Sequence, residues 1–554
     1  MHRRLVLTIL TIMAATSTFA VPAKRVRTWL RLSNGTKVEA TLSGDEHLHY
    51  YLTDDGQALM TEADGDIARF VSLDSLSAIH TERLAKANTR RIRKQMKMKQ
   101  TRAWGDEMNP ITGSKRGLVI LVNFADRQLT YSRNDFNNFF NQSGYQEFGM
   151  QGSVRDYFLD QSYGQLVINF DIAGPITLSK DMSYYGKNDS NGEDLHPGEM
   201  ITEACRIADA EVNFADYDWD GDGWVDQVYI IYAGYGESQG AGINTIWPHE
   251  WTLTEAAAFN DGEGPLSLDG VEIDTYACSC ELAGHSGSTI DGVGSACHEF
   301  SHCLCLPDMY DTIGSAPGMM DWDVMDHGCY NGDGNGRCPA SYTSYERMYC
   351  GWLRPNVLAG NQKVENMQPI TSAPEAYIIY NSACAREYYL IENHQHESWD
   401  TAAYGHGMLI LHVDFDPNAW IENTVNTQRN HQRMTIIPAD NRLLDSTVSQ
   451  LAGDPWPGTK GMTELNANTT PAATLYNPNE LGELTMECSI SEITETDGTI
   501  SFIFSSGTID VSDFPKFAVS FSKIPVTDMQ GRRINTAGLR PGIYITNGKK
   551  FIVK

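Results

Sequence analysis

One helical turn limits this chain more than any other feature: His298 and His302 stand four residues apart with Glu299 between them. Residues at that spacing lie on one helix face, so both imidazoles reach the same point in space. Two neutral nitrogens so placed suit zinc, and the intervening glutamate is set to take a proton from a water activated there. A third ligand has to come from beyond the helix. Pro307 ends it and Asp308 follows. A surface turn that happens to carry two histidines would give the same five residues, but Asp308 behind them and the segment ahead favour the metal.

That segment is Trp322-Asp323-Val324-Met325-Asp326-His327-Gly328. It reads as a Met-turn, the methionine-bearing bend beneath the zinc of metzincins, with Met325 as its methionine. Together with HEFSHCLCLPDMYD it is similar to the immune inhibitor A family of secreted zinc metallopeptidases, whose usual pattern is HEFGHxLGLPDxYD. The resemblance implies an α+β, metzincin-like catalytic domain in which His298, His302 and Asp308 hold zinc and Glu299 is the general base of peptide-bond hydrolysis. Protein or peptide substrates follow from it. Cys305 departs from the pattern by standing where the family has a glycine, in a conformation that costs a residue with a Cβ. Tyr330 and His327 are nearby donors for a developing oxyanion. Two rival readings are an inactive, calcium-dependent adhesin on the same scaffold and a cysteine peptidase using Cys297 or Cys303.

A chain of 554 residues exceeds what one core holds, so several folded units are expected. Its formal charge of -29 argues against a nucleic-acid partner. Residues 1–20 read as a signal peptide: a basic Met1–Arg4, an apolar Leu5–Ala15 and small residues near Ala20. Export to a secreted or cell-surface location follows. No later apolar run reaches the roughly 20 residues of a membrane span. Of eleven cysteines, Cys297, Cys303, Cys305, Cys329, Cys338 and Cys350 crowd the zinc region, so an oxidising compartment predicts disulfides bracing the site.

Residues 21–105 read as a β-rich propeptide, with hairpin signals at Asn34-Gly35 and Asp55-Gly56 and a basic linker from about residue 81. It holds no cysteine to latch a metal, leaving Asp45, His47 or His49 as candidate plugs. The catalytic domain spans 114–355. In it LVILVNFAD and QVYIIYA are buried strands, while 134–140, 152–161 and 199–210 are helices. Between the last helix and strand, DYDWDGDGWVD places Asp218, Asp220, Asp222 and Asp226 at calcium-loop spacing with Gly223 at the bend, although position twelve is Tyr229 rather than glutamate. Asn331, Asp333 and Asn335 echo the pattern weakly and are equally plain turn chemistry.

Residues 356–505 read as a β-sandwich-like unit containing EYYLIENHQ, GMLILHVDFD, RMTIIPA and TISFIFS. His394, His396, His406 and His412 fall there at scattered strand positions and read as structural histidines. Residues 506–554 form a small β tail whose DMQGRR, PGIYI and KKFIVK resemble the sorting domain of type IX secretion cargo, implying that machinery as a partner.

Overall fold

The computed structural model describes residues 19–506, apart from 46–47, 62–66, 77, 81–109, 190–191, 313–315 and 444–447, and four short strands between 526 and 553. Of the expected signal peptide, residues 1–18 lie outside the described residues, as does the basic linker. The chain divides into two compact units, one ending at Ser506 and one beginning at Gly507. In the second, Arg533–Ile534, Val526–Asp528, Gly542–Thr546 and Lys549–Val553 make an antiparallel sheet in that order.

The larger unit is built on a six-stranded sheet. Its order is Phe19–Ala20, His249–Thr252, Thr275–Leu282, Val228–Tyr235, Gly113–Asn123, Leu166–Thr177. The last four run parallel, and His249–Thr252 is antiparallel to its neighbour. Parallel strands need long crossovers, and here two helices, Arg133–Asn141 and Val154–Gln161, join Gly113–Asn123 to Leu166–Thr177. Both helices open on a serine capping box, Ser132 with Asp135 and Ser153 with Asp156, as the sequence pattern requires.

The central strand is apolar on both faces, so two cores form. Val119 and Leu121 join the cluster that holds the helix Val293–Cys303; Leu118, Ile120 and Val122 join the other, with Met200, Ile201 and Ala204 of the helix Pro197–Ala208.

Ahead of this domain, Arg27–Arg31 to Ala68–Val71 form a five-stranded antiparallel meander in sequence order. Both expected hairpin glycines, Gly35 at φ 85° and Gly56 at φ 78°, take the left-handed conformation. Behind it lie a five-stranded sheet, Asn356–Val357, Tyr377–Tyr380, Glu387–His394, Gly407–Asp414, Met434–Ile436, and a three-stranded one, Asn361–Met367, Thr499–Ser506, Cys488–Thr496. Ile379, Tyr389, Ile391 and Ile410 of the first share a core with Val364, Ile500 and Phe502 of the second. The opposite face, including Tyr388, Leu390, Leu409 and Leu411, joins the core of the zinc-motif helix. The β unit and the mixed sheet therefore share apolar surface rather than standing as separate beads.

The disulfide expectation is corrected: no two of the eleven cysteines are bonded to each other. A bridge needs two Cα atoms about 4.4–6.8 Å apart with converging side chains. Instead Cys205, Cys278 and Cys280 pack singly in one apolar cluster, and Cys297, Cys305, Cys329 and Cys350 in the other, as small hydrophobes.

Candidate active site

The helix Val293–Cys303 starts in a tight place. A Cβ on Gly294 would sit 1.8 Å from the carbonyl oxygen of Cys329, so only glycine lets the helix approach the 329–336 loop. The helix ends in a Schellman motif, with Cys305 N–H donating to the His302 carbonyl (2.7 Å) and Leu306 N–H to that of Ser301 (3.3 Å). Cys305 occupies the left-handed position at φ 69°, as its place in the motif requires, and the Tyr349 hydroxyl donates to its carbonyl at 2.8 Å. The conformation expected to favour glycine is thus kept with a cysteine, and the turn still delivers Asp308.

His298, Glu299, His302 and Asp308 are all buried. His298 Nε2 and His302 Nε2 are 3.1 Å apart, and Asp308 Oδ1 is 3.2 Å from the first and 3.4 Å from the second. Nδ1 of His298 lies 2.7 Å from the Val324 carbonyl, and that of His302 2.7 Å from the Leu306 carbonyl. A carbonyl only accepts, so each Nδ1 carries a proton, and in the neutral ring each Nε2 turns a lone pair to the centre. Burial also holds the His302 imidazole below its ordinary range, against the pull of Asp308. Two lone pairs and a carboxylate oxygen converging this closely repel one another unless a cation lies between them, and a nitrogen, nitrogen, oxygen set is what zinc takes. The residues therefore fit the metal.

Outer contacts fix each ligand. Val324 precedes Met325, which is fully buried and accepts from Met309 N–H through its carbonyl. Asp308 is gripped from outside the catalytic segment: Asn423 Nδ2 donates to Asp308 Oδ2 (2.6 Å), and Asp308 N–H donates back to Asn423 Oδ1 (2.8 Å). Asn426 Nδ2 donates to the next carbonyl, Met309 (2.6 Å). Nothing in the sequence around Asn423 marks this role, because the pairing spans more than a hundred residues. Asn423→Ala is expected to lower zinc affinity about 10–100-fold, measured by competition with a chromogenic chelator, with the fold retained.

Glu299 is contacted by a segment from far upstream, residues 19–24. Phe19–Ala20 pairs antiparallel with His249–Thr252, Phe19 opposite Glu250 and Ala20 opposite His249. Val21 N–H donates to Glu299 Oε1 at 2.7 Å. Trp247 Nε1 donates to the Val21 carbonyl (3.1 Å), and the Tyr330 hydroxyl donates to that of Pro22 (2.9 Å). Lys24 N–H donates to the Ser238 carbonyl, and Lys24 Nζ to Asn335 Oδ1 at 2.9 Å. The group facing Glu299 is thus the backbone of Val21. Asp45 instead meets His80 at 3.1 Å, His49 stacks on Trp247, and His47 lies outside the described residues.

Tyr330 therefore contacts a main-chain carbonyl of residues 19–24. His327 is turned to Asp326, Nδ1 to Oδ1 at 2.7 Å. Asp218, Asp220 and Asp222 bring carboxylate oxygens within 4.8 Å of one another, and Asp226 accepts from Trp219 N–H. Asn331 Nδ2 donates to the Asp321 carbonyl, Asn335 takes Lys24, and Asp333 is left-handed at φ 61°. A further group the sequence did not suggest is His196, Glu199 and Asp261. Asp261 accepts from Gly198 and Glu199 N–H and so caps the helix Pro197–Ala208, which accounts for its position.

A thiol nucleophile is disfavoured. Burial pushes the Cys297 thiol well above its ordinary range. Cys278 Sγ lies 3.5 Å from His249 Nδ1, but burial pushes that thiol up as well and takes His249 down to about 4, so neither member of the pair is charged.

Residues 112–354 match the family profile of the immune inhibitor A peptidase M6, catalytic domain. The chain is 28% identical over 219 residues to the pre-pro-metalloprotease PrtV of Vibrio cholerae serotype O1, a stretch covering 36% of this chain and 23% of that protein. It is 26% identical over 223 residues to immune inhibitor A of Bacillus thuringiensis subsp. alesti, covering 36% of this chain and 31% of the relative. The chain thus spans less than a third of the length of either relative. No helix among the described residues is long and apolar enough to cross a membrane.

Proposed function

We propose that this chain, with a peptidase M6 match over residues 112–354, is a zinc-dependent endopeptidase that hydrolyses extracellular proteins. One observation carries the reading: two imidazole lone pairs and the Asp308 carboxylate converge, with both Nδ1 protons committed to backbone carbonyls. Zinc held by His298, His302 and Asp308 would polarise the scissile carbonyl and activate water. Glu299 takes the proton and returns it to the leaving nitrogen. Its contact with Val21 N–H supports that second role, because the carboxylate already faces a backbone nitrogen.

The same contact supports synthesis as a precursor. Val21 and the residues after it cover Glu299, so proteolysis requires that they leave. Residues 1–20 act as the export signal, 21–105 as the propeptide, and the terminal β unit as a tail read by the type IX secretion machinery. Calcium takes the Asp218–Asp222 loop, where three carboxylates this close repel one another without a cation.

Metal analysis tests the reading. The purified, processed protein should hold one tightly bound zinc. Stripping it with a strong chelator should abolish digestion of denatured casein, and added zinc should restore it. Digestion that survives complete removal of the metal overturns the assignment.

A further inference from the structure

We propose that residues 19–24 lie in the register of a substrate, with Val21 at the place of the residue released as a new amino terminus, so that the enzyme cuts before aliphatic side chains. The inference rests on the metallopeptidase reading above. Three observations fix the register. The atom Glu299 must protonate is the nitrogen after the cleaved bond, and Val21 N–H lies 2.7 Å from its carboxylate. Upstream, Phe19–Ala20 adds as an extended strand to the edge His249–Thr252, the way a peptide docks on an open sheet edge. Downstream, successive carbonyls are met by fixed donors, Val21 by the Trp247 indole and Pro22 by the Tyr330 hydroxyl. These bonds address backbone atoms and read no side chain.

Selection then falls to the surroundings of the side chain. Val21 is completely buried and belongs to the large apolar cluster that includes the helix Val293–Cys303. An aliphatic side chain gains from that burial. A carboxylate or ammonium buried in the same apolar cluster loses its hydration. Trp247 and Tyr330 act as substrate-positioning residues. In the step itself the C–N bond breaks, the water oxygen joins the acyl carbon, and the proton taken by Glu299 passes to the nitrogen.

Synthetic heptapeptides copying residues 18–24, with valine kept or replaced by isoleucine, alanine, phenylalanine, aspartate or lysine, test this on the processed enzyme. Valine and isoleucine versions should be cleaved at the bond before the varied residue, with kcat/KM about 10-fold or more above alanine and higher still above aspartate and lysine. Trp247→Phe should raise KM for the valine peptide more than it lowers kcat. Equal rates for all versions, or a preference for a charged residue, overturn the inference. If denatured casein is digested in a chelator-sensitive way while no heptapeptide is cut, the register assignment fails and the peptidase reading stands. If casein is not digested either, the peptidase reading fails and takes this inference with it.

Discussion

Glu299→Gln lowers kcat/KM of the processed enzyme on denatured casein by about 10²–10⁴-fold or more, the usual contribution of a positioned general base. The substitution keeps the shape of a fully buried side chain and an oxygen able to accept from Val21 N–H. It removes only the capacity to take a proton. Zinc content, thermal midpoint and precursor packing should therefore match the parent, which separates lost chemistry from lost fold. An unchanged rate with full metal content would remove Glu299 from the mechanism.

The second large effect concerns His394. Its Nδ1 lies 2.7 Å from Asp400 Oδ2 and its Nε2 2.7 Å from Glu392 Oε1, all three residues buried. The carboxylates also accept from the backbone of the segment leading to the helix Ser344–Tyr349: Ser344 N–H to Glu392 and Ser341 N–H to Asp400. Burial alone would lower the imidazole's pKa, but the two carboxylates outweigh it and raise it to about 10. His394 is therefore a cation at neutral pH. His394→Ala strands two buried negative charges, and a loss of about 3–5 kcal/mol is expected, read as a lowered midpoint in denaturant. Since the folded pKa is raised, its stabilisation is complete below the ordinary histidine value of 6.5 and is lost as pH rises through about 10. Glu387 has the opposite sign. Burial would raise its pKa, but His412 and the backbone of Tyr476 and Asn477 take it down to about 2, so its contribution is present above 4.5 and lost as pH falls through 2.

What the sequence could reveal follows from how far apart the interacting residues are. The clustering of His298, His302 and Asp308 was legible because the two histidines share a helix face and Asp308 follows six residues on, so all three lie within a dozen residues. The buried strands were legible because apolar runs too short for helices have few other uses. The structural reading of His394 and His412 agrees with their carboxylate partners. The Asn423 grip on Asp308 and the seating of Val21 on Glu299 had no local signature, since each joins segments more than a hundred residues apart. The disulfide expectation failed for a related reason. Cysteine number and compartment say that bonds are permitted, whereas pairing depends on distances that only the fold sets.

The antiparallel edge His249–Thr252 has a consequence for handling the protein. Once residues 19–20 are gone, that rim offers unsatisfied backbone donors and acceptors to any extended chain it meets. Polypeptide already committed to secondary structure cannot offer itself there, so under the proposed function unfolded proteins and loose loops should be digested first. In a concentrated, substrate-free solution the nearest extended chain belongs to another copy, so chains cut after residue 20 should cluster on storage while chains that keep residues 19–20 on the rim do not.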